Sequence, residues 1–214
     1  KIRQLEIMLN EKDIDTLLIL SREGSDSVLP FLIGVDTVNL AAVFINKNGK
    51  HLVLTTLADE EKYKESGIFS QVKVYDLNLK EIFNNKLNPK KVALNISEED
   101  SVCDGLSVGL YMILEGMIGK EKLEKIQVSS EDIIKELRSV KTETELKKLK
   151  KAIDITIDIY DEVFSKVKCG MSEIEIGNLF VEGMKKRNVT NGIGEAYGYP
   201  IVCIVRAGLA HRNP

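Results

Sequence analysis

Few side chains in this sequence have the type and spacing that catalysis or metal binding requires. The 214 residues include two histidines and three cysteines. The cysteines, Cys103, Cys169 and Cys203, are too far apart in the sequence to form the C-x-x-C pair that is typical of zinc and redox sites. The sequence therefore predicts no structural zinc site. Three free thiols favour a reducing compartment, and we expect a cytoplasmic protein.

The two histidines lie in different contexts. His51 follows an Asn-Gly turn between two apolar runs, so we expect a surface or strand-end residue. His211 lies in a polar loop, residues 206–214, which follows a predicted strand at residues 199–205. An imidazole there could donate or accept a proton near neutral pH. From its surroundings alone, however, a lone histidine in a polar loop is better interpreted as a solvated side chain.

One turn in the first half of the chain has polar residues at the end of a predicted strand. Residues 21–26 carry Arg22 and Glu23 after a buried run. Such a loop could bind a ligand in an open α/β sheet, although a solvated turn is the favoured interpretation. Residues 1–130 contain no glycine-rich phosphate loop, H-E-x-x-H or G-x-S-x-G motif. We therefore expect a structural or substrate-gating role for them.

The composition is that of a soluble globular chain. Hydrophobic residues make up 43% and charged residues 29%, and the formal net charge is −3. This balance gives no basic surface for a phosphate backbone, so nucleic acid is excluded as an expected partner. No uninterrupted run of about 18 apolar residues occurs, and we expect no membrane insertion.

Helical and strand patterns alternate through residues 1–130. Strands are predicted at residues 15–20, 40–45, 51–55, 72–75, 91–96 and 126–128, and helices at 2–9, 58–65, 80–85, 97–114 and 129–140. Asn48 and Gly49 predict a hairpin between the second and third strands. This pattern indicates an α/β domain with a mixed sheet flanked by helices.

Two long helices follow. Thr142 with Glu145, and Ser172 with Glu175, have the spacing of capping boxes, so a helix is predicted to start at each. The first helix is expected to stop at Gly170. We place a domain boundary near residues 129–140, which gives an α/β domain at 1–130 and a second domain at 131–214.

Three stretches together resemble the pita-bread metallopeptidases, the family of Xaa-Pro dipeptidase, aminopeptidase P and creatinase. They are ELRSVKTETELKKLKKA at residues 136–152, CGMSEIEI at 169–176 and AHRNP at 210–214. The order of elements in residues 1–130 is also similar to the α/β domain that commonly precedes the catalytic domain. The resemblance implies a creatinase-type N-terminal domain, followed by the first helices and strand of an α+β pita-bread domain.

The resemblance also implies that this chain is the N-terminal part of a longer protein, and it implies a function for that longer protein. It would hydrolyse peptide bonds next to proline in small peptides, with two divalent cations such as Mn, Co or Zn, as a homodimer. His211 takes the role of the family histidine that binds substrate or transfers protons beside the metal centre. The family's metal ligands, two aspartates, a histidine and two glutamates, all follow this loop. We therefore expect this chain to bind no metal and to be inactive alone.

Two alternatives remain open from the sequence. Creatinase has the same fold but cleaves a non-peptide C–N bond without the metal pair. Other pita-bread proteins have lost the metal site and act as binding modules. The residues that would separate these alternatives from a peptidase follow the loop that carries His211.

Overall fold

A computed structural model describes residues 1–76, 79–86 and 89–191 of the chain. The chain divides into two compact units, Lys1–Lys141 and Thr142–Pro214. Each unit has its own hydrophobic core.

The first unit alternates helices and strands. In chain order its elements are α1 (Ile2–Glu11), β1 (Thr16–Ser21), α2 (Val28–Ile33), β2 (Ala41–Asn46), β3 (Leu52–Thr55), α3 (Glu60–Glu65), β4 (Gln71–Val74), α4 (Leu79–Lys86), β5 (Val92–Leu94), a 3-10 turn (Ser101–Cys103), α5 (Val108–Ile118), α6 (Lys120–Ile126), β6 (Gln127–Ser129) and α7 (Glu131–Ser139). The second unit contains α8 (Glu143–Lys166) and α9 (Glu173–Lys186).

The six strands form one mixed sheet in the order β4-β3-β2-β1-β5-β6. The pairs β1–β2 and β2–β3 are antiparallel, and the other three pairs are parallel. The predicted hairpin is present, and Gly49 in its turn has a φ of 75°, which glycine adopts without a Cβ clash. The α/β fold with a mixed sheet is therefore confirmed.

Alternate side chains of a strand point to opposite faces of the sheet. Helices pack on both faces and bury these side chains in two separate cores. In β1, Leu17 and Ile19 lie in a core with residues of α1, α2 and α7. Leu18 and Leu20 lie in the opposite core, with residues of α4, α5 and α6. All six residues of β1 are buried, as expected for a strand in the middle of a three-layer domain.

The helix predicted at residues 97–114 is wrong in its first half. The chain forms only the 3-10 turn there, and α5 starts at Val108 after an irregular segment. At Gly105 an added Cβ would lie 2.2 Å from Oδ2 of Asp26, so backbone and a buried carboxylate approach closely. The Leu106 N–H also donates to the carbonyl of Asn95 rather than to a helical partner. Helices α2 and α6 are not predicted by the sequence patterns.

Residues 101–118 are apolar enough for a membrane span by length and composition, with a mean hydropathy of 1.3. They form the 3-10 turn and the 11-residue helix α5, not one long helix. An 11-residue helix is about 17 Å long, which is short of a hydrocarbon core of about 30 Å. Leu110, Leu114 and Met117 of α5 lie in the core beside the sheet.

Helix α7 belongs to the first unit. Its residues Ile133, Ile134 and Leu137 are buried in the core that contains α1, and Lys1 Nζ donates to the carbonyl of Leu137 at 2.6 Å. The first compact unit thus extends to Lys141, beyond the predicted domain end at residue 130.

Candidate functional site

The predicted catalytic residue, His211, lies outside the described residues, as does Cys203. The described part of the second unit is the α8–α9 helix pair, which leads directly to that segment of the chain. The candidate functional region is therefore built from this pair. Polar residues in the first unit with functional potential are considered after it.

Reciprocal capping boxes fix the start of both helices. The Glu145 N–H donates to Thr142 Oγ1 at 3.3 Å, and the Thr142 N–H donates to Glu145 Oε2 at 2.7 Å. Ser172 and Glu175 repeat this arrangement at 3.3 and 2.8 Å. Both predicted helix starts are confirmed. Helix α8 ends at Lys166, four residues before the predicted stop at Gly170. Gly170 lies in the turn between the two helices and has a φ of 94°.

The two helices pack through a small apolar core. Ile159, Val163 and Phe180 are buried, and the rings of Tyr160 and Phe180 lie 4.9 Å apart with an edge-to-face tilt. Gly183 allows close approach, because a Cβ there would lie 3.1 Å from Cγ2 of Ile159. The backbone of α9 at Gly183 therefore lies directly against the side chain of Ile159 on α8.

An ion cluster joins the C-terminal ends of the helices. Glu162 of α8 accepts from Lys166 at 2.9 Å and from Arg187 at 2.8 Å, with Lys186 at 3.4 Å. The hydrogen bonds from Lys166 and Arg187 lower the pKa of Glu162 to about 2. The carboxylate is therefore ionised at neutral pH and acts as a fixed negative charge, not as a proton donor.

A groove of about 540 Å³ runs along this helix pair. Its lining is mainly apolar, with two lysines, two threonines and an asparagine among the lining residues. The lining residues are Lys148, Lys151, Ala152, Ile155, Thr156, Ile159, Tyr160, Phe180, Met184, Val189, Thr190 and Asn191. Among them are no carboxylate, histidine or cysteine. The groove can therefore receive an apolar group, but its described lining offers no acid–base pair.

Helix α8 also carries a second apolar face, which we call the α8 stripe. It consists of Leu146, Leu149, Ile153, Ile157, Tyr160 and Phe164, which recur at steps of three and four. Each of these side chains is between 41% and 63% exposed. So long an exposed apolar stripe on one helix is typical of a surface that another part of a protein covers.

The described residues do not form the two-metal centre that the resemblance implies. No three His, Cys, Asp or Glu side chains in residues 1–76, 79–86 and 89–191 are grouped so that they could hold a metal ion. The free thiols of Cys103, which is buried, and Cys169, which is exposed, lie in separate units. We assign no metal ligand to these residues.

A buried polar network lies at the carboxyl ends of β1, β5 and β6. Asp26 Oδ1 accepts from the N–H groups of Val28 and Leu29 at the start of α2, and Asp26 Oδ2 accepts from Asn95 Nδ2 at 2.9 Å. Asn95 Oδ1 in turn accepts from Ser130 Oγ at 3.1 Å. Burial raises the pKa of Asp26.

This network occupies the sheet edge at which α/β proteins commonly bind ligands. However, the polar groups of this network hydrogen-bond to one another and to the backbone, and they connect the start of α2, the end of β5 and the start of α7. Sequence reasoning missed it, because Asp26, Asn95 and Ser130 are far apart in the chain and form no local motif.

The turn with Arg22 and Glu23 is held by backbone hydrogen bonds. The N–H groups of Glu23 and Gly24 donate to the carbonyls of Val38 and Thr37, and both Arg22 and Glu23 are exposed. Glu23 has a φ of 49°, which suits a tight turn. The geometry is that of the solvated turn favoured by the sequence.

The sequence predicts a surface or strand-end position for His51. The residue lies at a strand end, directly before β3, but it is not at the surface, because it is only 3% exposed between the hairpin turn and α1. Its Nδ1 accepts from the Asn46 N–H at 3.1 Å, and its Nε2 lies 3.0 Å from Oε1 of Glu6. The sequence places Glu6 forty-five positions away, so this contact has no local signal.

Comparisons with known proteins find the class of fold. No protein-family model and no curated protein sequence matches the chain. Solved structures of proline-directed and related peptidases do match it. The fold expected from the sequence resemblance is therefore confirmed.

Three of these structures illustrate the match. An X-Pro aminopeptidase from Thermotoga maritima has a TM-score of 0.55 at 23% identity, over 87% of this chain and 49% of that chain. A prolidase from Thermococcus sibiricus has 0.58 at 18%, over 89% and 50%. The dipeptidase PepE from Mycobacterium ulcerans has 0.59 at 17%, over 86% and 48%. The chain spans about half the length of the solved structures that it matches.

Proposed function

We propose that this chain is the N-terminal portion of a metal-dependent Xaa-Pro peptidase, of the dipeptidase or aminopeptidase P type. The longer protein would hydrolyse peptide bonds next to proline in small peptides. The observation that carries the proposal is the agreement in fold over 86–89% of the chain with about half of each of three peptidase structures.

The two units would contribute differently to that activity. In the first unit, the buried polar groups Asp26, Asn95 and Ser130 hydrogen-bond to one another and to the fold. This supports a structural or substrate-gating role. The second unit begins the catalytic domain, and α9 leads into the segment with His211. We assign His211 to substrate binding or proton transfer, for which an imidazole that titrates near neutral pH is suited.

The metal ions belong to the remainder of the longer protein in this proposal. Two divalent cations, Mn, Co or Zn, would be held by carboxylates and a histidine that follow residue 214. When bound, such a pair supplies an activated water and stabilises developing negative charge. We further propose a homodimer in the cytoplasm. The free thiols of Cys103 and Cys169 suit that compartment.

The α8 stripe gives independent support. Six exposed apolar side chains along α8 are unfavourable in water. They are explained if a further part of the longer protein packs on them. The agreement with structures about twice as long as this chain points the same way.

The test is a hydrolysis assay on the longer protein that contains this sequence. We expect it to cleave an Xaa-Pro dipeptide after addition of Mn²⁺, Co²⁺ or Zn²⁺, to lose activity with a chelator, and to cleave a matched dipeptide without proline poorly. His211→Ala should lower kcat by about 10²-fold or more, the size typical of a lost proton-transfer group. The matched control is His51→Asn, which changes the other histidine and should retain activity.

Other results would favour another function. Cleavage of creatine without added metal would indicate the creatinase-like C–N hydrolase. A folded longer protein that hydrolyses neither substrate under any of these conditions would contradict an enzymatic role, and a metal-free binding module would then be the better interpretation. Activity in the 214-residue chain alone would contradict the assignment of the metal ligands to a later segment.

A further inference from the structure

His51 joins two elements that are distant in the sequence. The ring stands between the last residue of β2, Asn46, and Glu6 on α1. The backbone carbonyl of His51 also accepts two hydrogen bonds, from the N–H and from the hydroxyl of Ser70, which lies just before β4. The side chain is almost fully buried, so its hydrogen bonds with Asn46 and Glu6 are not replaced by water.

These contacts fix the proton on the ring. Because the Asn46 N–H donates to Nδ1, Nδ1 carries no proton in this arrangement. The proton of the neutral ring is then on Nε2, where it is donated to the Glu6 carboxylate. His51 is thus an acceptor towards the hairpin turn and a donor towards α1.

A second proton can only be added at Nδ1. A proton on Nδ1 would point at the Asn46 N–H. The hydrogen bond between these two groups would then be lost, because both would be donors. The Asn46 N–H would lose its partner in a partly buried position, which is unfavourable. The bond from Nε2 to Glu6 would be kept and would become an ion pair.

The groups around the ring oppose this second proton on balance. Burial lowers the pKa of His51, and the nearby carboxylate of Glu6 only partly offsets that effect. In the turn, Lys50 adds a positive charge, while Lys47 is paired with Asp13 and Asp15. Ser70 and Gln71, which contact the His51 carbonyl, do not titrate.

We propose that Glu6, Asn46 and His51 form an acid-sensitive latch, which holds the β2–β3 turn when the ring is neutral and loosens it when the ring gains a second proton. The opening is local. Asn10 of α1 still donates to the Lys47 carbonyl, and Lys47 still pairs with Asp13 and Asp15, so the turn stays attached to α1 while the Asn46 amide is released.

The test is an NMR titration of the full 214-residue chain from about pH 7.5 to about pH 4, a range that extends below the ordinary titration of histidine because burial lowers the pKa of His51. The chain has only two histidines, so the ring signals are simple to assign. At the upper pH we expect His51 as the Nε2–H tautomer. As His51 gains its second proton, the hydrogen-exchange protection of the Asn46 amide, corrected for intrinsic exchange, should fall by about tenfold, as for the loss of one partly buried hydrogen bond.

Two variants serve as controls. His51→Asn keeps an acceptor near the position of Nδ1 but cannot titrate, so its Asn46 protection should stay constant across the range. Glu6→Gln keeps a partner for Nε2 without the negative charge, so loosening should move to lower pH. A proton on Nδ1 at neutral pH would overturn the proposal. Constant Asn46 protection through the His51 titration, or the same loss in His51→Asn, would also overturn it.

Discussion

Gly105 is a residue at which the fold leaves no room for a side chain. A Cβ there would lie 2.2 Å from Oδ2 of Asp26 and 2.8 Å from Nδ2 of Asn95, both buried and hydrogen-bonded to each other. We expect Gly105→Ala to lower the free energy of unfolding by about 1–3 kcal/mol, since the buried pair must move. Urea unfolding followed by far-UV circular dichroism measures this.

The matched control for that substitution is Gly116→Ala in α5, where a Cβ would meet nothing within 4 Å. Alanine is a better helix former than glycine by about 1 kcal/mol, so this variant should be neutral or more stable. Equal effects of the two substitutions would show that the close approach at Gly105 does not determine the stability.

A second prediction at the residue scale concerns Asp59, which is 1% exposed. Burial favours its neutral form, but hydrogen bonds from Lys62, from the N–H groups of Asn39 and Val38, and from Thr37 outweigh burial and lower its pKa to about 2. A carboxyl whose pKa is lower in the folded than in the unfolded state stabilises the fold above the unfolded value and loses that contribution as pH falls.

We therefore expect stability to decrease as the pH falls from about 4 towards about 2, the interval between the two pKa values. The Asp59→Asn variant should lack part of that decrease, because its side chain does not titrate. Thermal unfolding at a series of pH values checks this. An unchanged slope in the variant would contradict the role given to Asp59.

At the scale of elements, the capping boxes show which parts of the fold the sequence can predict. Thr142 with Glu145 and Ser172 with Glu175 interact within three residues, so their type and spacing are sufficient. The Asn-Gly hairpin is local in the same way. By contrast, the interruption of the predicted helix at Gly105 depends on Asp26, and the burial of His51 depends on Glu6. Both partners are distant in the sequence, so no periodicity indicates these contacts.

The candidate site follows the same division. The helix pair α8–α9 is predicted from its caps and apolar periodicity, and its groove is a consequence of that packing. His211 is assigned only through the resemblance, since a lone histidine in a loop carries no spacing that defines a role. It remains a prediction.

The cap of α9 can be tested directly. Ser172→Ala removes the acceptor for the Glu175 N–H and should destabilise the α8–α9 pair by about 1 kcal/mol. The comparison variant is Ser165→Ala, an exposed serine within α8 whose hydroxyl donates to the Glu162 carbonyl of its own helix. It should change stability by less than about 0.5 kcal/mol. Similar losses from both would argue against the cap as the source of the effect.

At the scale of the whole molecule, a substitution in the α8 stripe should affect the stability of the longer protein more than that of this chain. Ile157 is 52% exposed in this chain and has Asp154 and Asp161 as its helical neighbours, so Ile157→Lys should change its stability by less than about 0.5 kcal/mol. In the longer protein the same change would bury a charge and should cost several times more. Urea unfolding of both proteins measures this, with Asp154→Ala on the same helix as a control for a polar exposed position. A small effect in both proteins would mean that the stripe stays uncovered.

The most direct test of the central claim is the intact mass of the natural protein, captured from its source cells with an antibody raised against residues 1–141. The chain has a mass of 23.9 kDa and spans 48–50% of the three peptidase structures. The account predicts a natural protein of about twice that mass, with carboxylates and a histidine after residue 214. A natural protein of 23.9 kDa, with no longer species, would contradict it.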